Sequence, residues 1–250
     1  MRVLDIDLDF FLNDIAHFAN DYGDRLDESE YIPWKEAEVR NFLEFRCGLR
    51  IDSKVKGRIL THHQEAFLFW RDLIDKEQLK VPFEVIHVDA HADLGLGDAS
   101  WVYIMQNLLH RPIEKRRYPE RFHYKSNYYK FGFGNYLAFA IGCRWVSKLT
   151  FVTHPEWHND LPWTLFKDLT ENSGIIQLRK YDKKINLDTY VIRKVEPLEV
   201  EPEVPFFTVP HTEFINDEPI SFITLCQSPG YTPKTSDRLI PIISEYIDLI

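Results

Sequence analysis

A short apolar run, Phe83-Glu84-Val85-Ile86-His87-Val88, follows Pro82 and passes without a turn residue into Asp89-Ala90-His91-Ala92-Asp93. A run this short and this apolar predicts a buried strand. A buried strand that ends in imidazole and carboxylate at two-residue spacing leaves few folds open, because uncompensated charge is costly in a core. Around it, strand and helix patterns alternate. Strands are expected over 2–8, 83–88, 145–152, 175–178, 205–209 and 220–226. Helices are expected over 34–46 (with Pro33 placed to start it), 64–76, 100–110, from 135 to 140, and 234–249. Residues 11–30 read as a surface excursion, and 179–219 as an elaboration of the domain. This alternation predicts an α/β fold, a three-layer α/β/α sandwich with a mainly parallel sheet. Ligands then gather beyond the carboxyl ends of the strands. No composition shift marks a boundary, so residues 1–250 are expected to form a single domain.

Composition narrows the function. There are 39 Asp+Glu against 30 Lys+Arg, a formal charge of −9, which argues against a non-specific nucleic-acid binder. No apolar run approaches the ~20 residues that span a bilayer. The start, Met1-Arg2-Val3-Leu4-Asp5, does not read as a secretory signal. Cys47, Cys143 and Cys226 are scattered and odd in number. They fit packing in a reducing, cytoplasmic compartment and exclude a disulfide scaffold or a Cys-rich zinc site. The expected partner is a small-molecule substrate, with neither nucleic acid nor membrane; the oligomeric state is not legible.

Three polar clusters carry chemistry. The Asp89–Asp93 run is the most specific, with Ala90 and Ala92 leaving room for side chains to converge. Imidazole with hard oxygen ligands suits Mn, Fe or Zn. The second is Asp5-Ile6-Asp7-Leu8-Asp9. On a strand its three acids share one face, with Leu4, Ile6 and Leu8 on the other. Buried together, they need a cation or protons; exposed, they form a solvated acidic face. The third is Thr61-His62-His63-Gln64-Glu65, just ahead of a helix, where capping or surface roles compete with metal binding.

The run Asp89-Ala-His91-Ala-Asp93 resembles the DAHxD signature of the arginase/agmatinase group, within the arginase–deacetylase (ureohydrolase-like) superfamily. His63, with His62 as competitor, matches the histidine upstream of that motif. Asp7-Leu8-Asp9, preceded by Asp5, is similar to the family's Asp-x-Asp strand. In arginases that strand follows DAHxD; here it lies at the start of the chain. Ser228-Pro229-Gly230-Tyr231-Thr232-Pro233 stands near the end, where the family's Thr-Pro turn would be rearranged. The resemblance therefore implies a circularly permuted or rearranged sheet. It also implies two divalent ions, Mn preferred over Zn or Fe. One ion would take His63, Asp89, Asp93 and Asp7, the other His91, Asp89, Asp7 and Asp9. The implied chemistry is hydrolysis of a linear C–N bond (guanidino, amidino or N-acyl amine) by a metal-bridging hydroxide, with Asp93 passing a proton to the leaving amine.

Lower-ranked candidates follow. His87 shares a strand face with Asp89 and either acts in catalysis or orients a ligand. Asn135, in a Gly-Asn pair similar to the family's substrate loop, either meets substrate or caps its helix. His154 and His158 flank a strand end, and His211 and Glu213 follow another. Arg111–Arg117 reads as a solvated basic stretch or a contact for an anionic substrate. Tyr128, Tyr129, Phe131 and Phe133 read as packing. Two other functions compete: a haloacid-dehalogenase-type phosphatase, which also carries Asp-x-Asp on an N-terminal strand but would leave DAHAD unexplained, and a metal-binding scaffold without activity.

Overall fold

The first strand, β1 (Arg2–Asp7), lies at the centre of the molecule, every residue buried. A computed structural model describes residues 1–18, 24–119 and 131–250. Tyr128 and Tyr129 lie outside the described residues. β1 pairs in parallel with β3 (Phe83–Asp89) on one side and β9 (Phe222–Cys226) on the other. Beyond β9 come β2 (Val55–Leu60) and β10 (Ile247–Leu249). Beyond β3 come β4 (Val146–Thr153), β8 (Val204–Pro210) and the short β5 (Ile175–Ile176). The eight-stranded sheet runs β10-β2-β9-β1-β3-β4-β8-β5, and only the β5 pairing is antiparallel. A two-stranded ribbon, β6 (Arg179–Lys180) with β7 (Glu199–Val200), stands apart.

Strand alternation divides the interior into two cores. Val3, Val85 and Phe151 point into one core with α2 (Glu65–Asp75), α3 (Ser100–Gln106) and α5 (Tyr136–Gly142). Leu4, Ile6, Ile86 and Val88 point into the other with α1 (Glu36–Asn41) and α6 (Leu239–Ser244). A one-turn helix, α4 (Ile113–Arg116), completes the set. The expected α/β architecture with a large, mainly parallel sheet is present, and helices cover both faces. No helix among the described residues is long and apolar enough to cross a membrane.

Several expectations need correction. The helix expected over 234–249 is a 3₁₀ turn (Lys234–Arg238), then α6, then a strand, β10. Ile247 is buried beside Val55, so sheet pairing overrides the helical spacing there. The helix expected over 34–46 begins at Glu36 and widens into a π-helical turn over Phe42–Arg46. The strand β2 has no expectation behind it. Its Lys56 and Arg58 hide the pattern, and Gly57 is required by contact: a Cβ there would sit 2.3 Å from the Ile223 carbonyl oxygen. Residues 11–30 are not wholly a surface excursion, because Leu12, Ala16 and Leu26 form a small core of their own. Nor is the Arg111–Arg117 stretch solvated throughout. Arg116 is buried, 2.9 Å from Glu201, and donates to the carbonyls of Gly142 and Leu109.

Candidate metal centre

The polar groups gather at the carboxyl ends of β1 and β3 because the sheet register aligns them. Asp5 stands beside His87 on β3 and beside Thr224 on β9, and Asp7 stands beside Cys226. Asp5 and Asp7 share the face of Val3, opposite Leu4 and Ile6. Beyond Asp7 the chain tightens into a 3₁₀ turn over Leu8–Phe11, capped by Asp7, whose Oδ1 accepts from the Asp9 backbone N–H at 3.1 Å. This turn aims Asp9 at the residues after β3. There, His91 N–H closes a turn onto Asp89 Oδ1 at 2.7 Å. Asp93 takes a left-handed backbone conformation, φ 49°, which an aspartate tolerates better than most residues. Ser228, after β9, takes another, φ 45°.

His63, on the turn between β2 and α2, lies at the focus. Its Nδ1 is 3.0 Å from Asp7 Oδ2, from Asp89 Oδ2 and from Asp93 Oδ2. One ring nitrogen carries at most one proton and cannot serve three carboxylates. The Nδ1 of His63 and the Oδ2 of Asp89 are both buried without a hydrogen bond. Two orphaned polar atoms 3.0 Å apart in a buried site call for a partner, and a cation is one that suits both. On the other side of Asp89, His91 Nδ1 lies 3.1 Å from Asp9 Oδ2 and 3.6 Å from Asp89 Oδ1. His91 Nε2 lies 3.0 Å from the Ala16 carbonyl oxygen, which can only accept. With Nε2–H donated to that carbonyl, the Nδ1 edge faces Asp9 and Asp89, where a cation would displace any proton it carries. Asp7, His63 and Asp89 form one group whose oxygen and nitrogen atoms could hold an ion; Asp9, Asp89 and His91 form a second.

Behind these lies a supporting layer. Asp5 is fully buried. Its carboxylate accepts from the Tyr136 and Thr224 hydroxyls and faces His63 Nε2 and His87 Nδ1, each at 3.3 Å. His87 Nε2 lies 3.0 Å from the His91 carbonyl oxygen. Both nitrogens of His87 face oxygen, and its ring does not line the cavity. Asp7 also accepts from the Ser228 hydroxyl. Asp160 receives the Ala92 backbone N–H at 2.9 Å and the Trp157 indole N–H at 2.8 Å, holding the loop between His91 and Asp93.

Electrostatics follow from this packing. Burial, added to by the Asp89 charge, pushes the Asp93 carboxyl up to about 7. Burial and the charges of Asp7 and Asp89 raise Asp9 well above the carboxylate range. Burial also opposes ionisation of Asp5, yet His63 and His87 more than offset it and hold Asp5 below that range. Burial disfavours the charged form of His91, but Asp89 and Asp9 raise it well above the usual imidazole value.

Of the residues singled out in the sequence, Asp7, Asp9, His63, Asp89, His91 and Asp93 converge and line one cavity of about 310 Å³. His62 is exposed while its neighbour is buried. Asn135 and His154 do not reach the cavity. Asn135 bonds Asp98 and the Gly132 N–H. His154 is buried, with its nitrogens on the Leu12 carbonyl and the Glu156 N–H. His158 is exposed and its ring stacks on His17, while His211 packs by Phe10 and Trp34, away from the site. Tyr136, Thr224 and Asp160 went unread in the sequence, since nothing local marks a hydroxyl or acid that acts across the sheet. Cys47, Cys143 and Cys226 are buried and form no disulfide. No family model matches the chain, and no curated protein matches it.

Proposed function

We propose that the protein is a metal-dependent hydrolase of linear C–N bonds, built on an arginase/deacetylase-like arrangement and using two divalent cations. The observation that carries this reading is His63 Nδ1, at 3.0 Å from three carboxylate oxygens with no hydrogen bond of its own. The excess of carboxylates over imidazoles in the set supports Mn²⁺ over Zn²⁺.

His63, Asp7, Asp89 and Asp93 would hold one ion, and Asp9, Asp89 and His91, with Asp7 adjoining, the other. When bound, such a pair supplies Lewis acidity and a more acidic water. The chain's own residues do the rest. Asp5 places its charge 3.3 Å from His63 Nε2, on the ring edge away from the three carboxylates. His87 lies beneath Asp5 and Asp89 and orients them; this supports its role as a positioning group, not one that meets substrate. Asp93, at the cavity wall, would be placed to carry a proton toward a leaving amine. The phosphatase reading has less support, because no Lys or Arg among the described residues lines the cavity to hold a phosphoryl group.

Elemental analysis after Mn²⁺ loading tests the reading. Two ions per chain are expected for the wild type and none for Asp89→Asn, which serves both positions. A wild type that takes up no metal overturns it. Two ions with no turnover of any amide, amidine or guanidine would favour the inactive scaffold.

A further inference from the structure

The outer wall of the metal cavity is as organised as its floor. Gly95 N–H donates to the Gly134 carbonyl at 2.8 Å, stitching the loop after Asp93 to the loop before α5. Asn135 reinforces the junction, reaching Asp98 at 3.0 Å and the Gly132 N–H at 2.9 Å. Gly95 has φ +86°, and a Cβ on it would lie 2.5 Å from Ser100 Oγ. The same Cβ would lie 3.3 Å from Asn135 Cβ in the other loop, so a glycine here lets the two loops pack closely.

What this wall presents is mainly apolar, with His17 the one imidazole on the lining outside the ligand cluster among the described residues. Leu94 and Leu96 come from one loop and Phe133 from the other, with Tyr231 opposite. The Phe133 and Tyr231 rings meet edge to face at 5.7 Å, and Tyr231 meets His91 in the same way at 5.0 Å. An aromatic path therefore runs from solvent to a candidate metal ligand. Phe133 remains 44% exposed and Leu96 55%, so both retain surface that an occupant would cover. Among the described residues, the one lining carboxylate outside the ligand cluster is Asp160, and its two oxygens already receive Ala92 and Trp157. A cavity of about 310 Å³ lies at the small end of ligand sites.

We propose that Leu96, Phe133 and Tyr231 determine specificity: the substrate joins its reacting C–N group to an uncharged apolar chain or ring, and is not a free amino acid or other zwitterion. The inference rests on the metal-hydrolase reading and deepens it. A guanidino amino acid would need groups for its carboxylate and its ammonium together, and beside His17 the wall offers hydrocarbon. An apolar substituent instead gains by leaving water against Phe133 and Leu96.

The test is binding to the Mn²⁺-loaded full chain, read by calorimetry with three hydroxamates as metal-directed probes. Octanohydroxamate is expected to bind roughly a hundredfold tighter than acetohydroxamate, with L-glutamate γ-monohydroxamate, which keeps a free α-amino acid at its far end, no better than acetohydroxamate. Phe133→Ala and the exposed Leu96→Ala are each expected to cut the octanoyl advantage several-fold to about tenfold, with metal content unchanged. Equal affinities for all three probes, or a preference for the glutamate probe, overturn the proposal while the metal reading stands. If none binds and no metal is retained, the metal reading falls and this inference with it.

Discussion

The Tyr136 phenol donates its hydrogen to the Asp5 carboxylate across 131 residues of sequence. Asp5 has no exposure to solvent, so every lone pair it presents must find a donor inside the protein. It finds four neighbours: Tyr136, Thr224, His63 and His87. Removing the phenol oxygen in Tyr136→Phe leaves a buried charge with one donor fewer. A loss of about 2 kcal/mol is expected, read by urea denaturation of the metal-free protein. Thr224→Val removes a different donor from the same group, so the double variant should depart from additivity.

The two histidines at the site should separate the two ions. His63 faces Asp7, Asp89 and Asp93, while His91 faces Asp9 and Asp89. His63→Ala and His91→Ala are each expected to retain one Mn²⁺ per chain, and the double variant none. Loss of both ions from either single variant would show that the pair binds only as a unit.

Without metal, the site should make stability fall as pH rises. Asp93, at about 7 in the folded protein, sits above its unfolded value of ~4. The folded state therefore binds the extra proton between those values, and stability is lost as pH climbs from ~4 through about 7. Asp9 and His91 are raised too and act in the same direction. Asp5 is lowered, and its contribution is lost only in strong acid. Metal must displace the same protons, so its affinity should rise with pH. Melting temperatures at pH 5.5 and 8 are expected to rank in opposite orders with chelator and with Mn²⁺.

Away from the site, Arg116 and Glu201 form a buried pair 2.9 Å apart, and Glu201 also takes Arg144. Glu201→Leu strands the Arg116 guanidinium among the carbonyls of Gly142 and Leu109. A cost of about 3–5 kcal/mol is expected. Replacing both residues, as Arg116→Met with Glu201→Leu, should recover much of it. Chemical denaturation of the three variants checks this.

Much of the centre was legible because its signals are local. Asp7 and Asp9 share a short stretch, Asp89, His91 and Asp93 share another, and His63 precedes a clear helix. The supporting layer was not legible. Thr224 and Tyr136 reach Asp5 only because the register places β9 beside β1 and because α5 packs over that face. For β2, Lys56 and Arg58 masked a strand whose identity lies in how closely Gly57 approaches Ile223. At the end of the chain, the apolar spacing of 239–249 suits a helix as well as a strand, and only the vacant edge of β2 decides that Ile247–Leu249 pairs with it.

The position of β1 also bears on the order in which the molecule can be made. Its register partner Thr224 is 219 residues further on, and Ser228, which donates to Asp7, comes later still. During vectorial synthesis β1 leaves the ribosome well ahead of β9, and one of its two edges has no neighbour until β9 emerges. At ordinary elongation rates of about 5–20 residues per second, that edge waits on the order of ten seconds or more, bearing the acids that later face the cations. The acidic stripe that serves the finished site would, over that interval, also discourage pairing with the strands of other nascent chains.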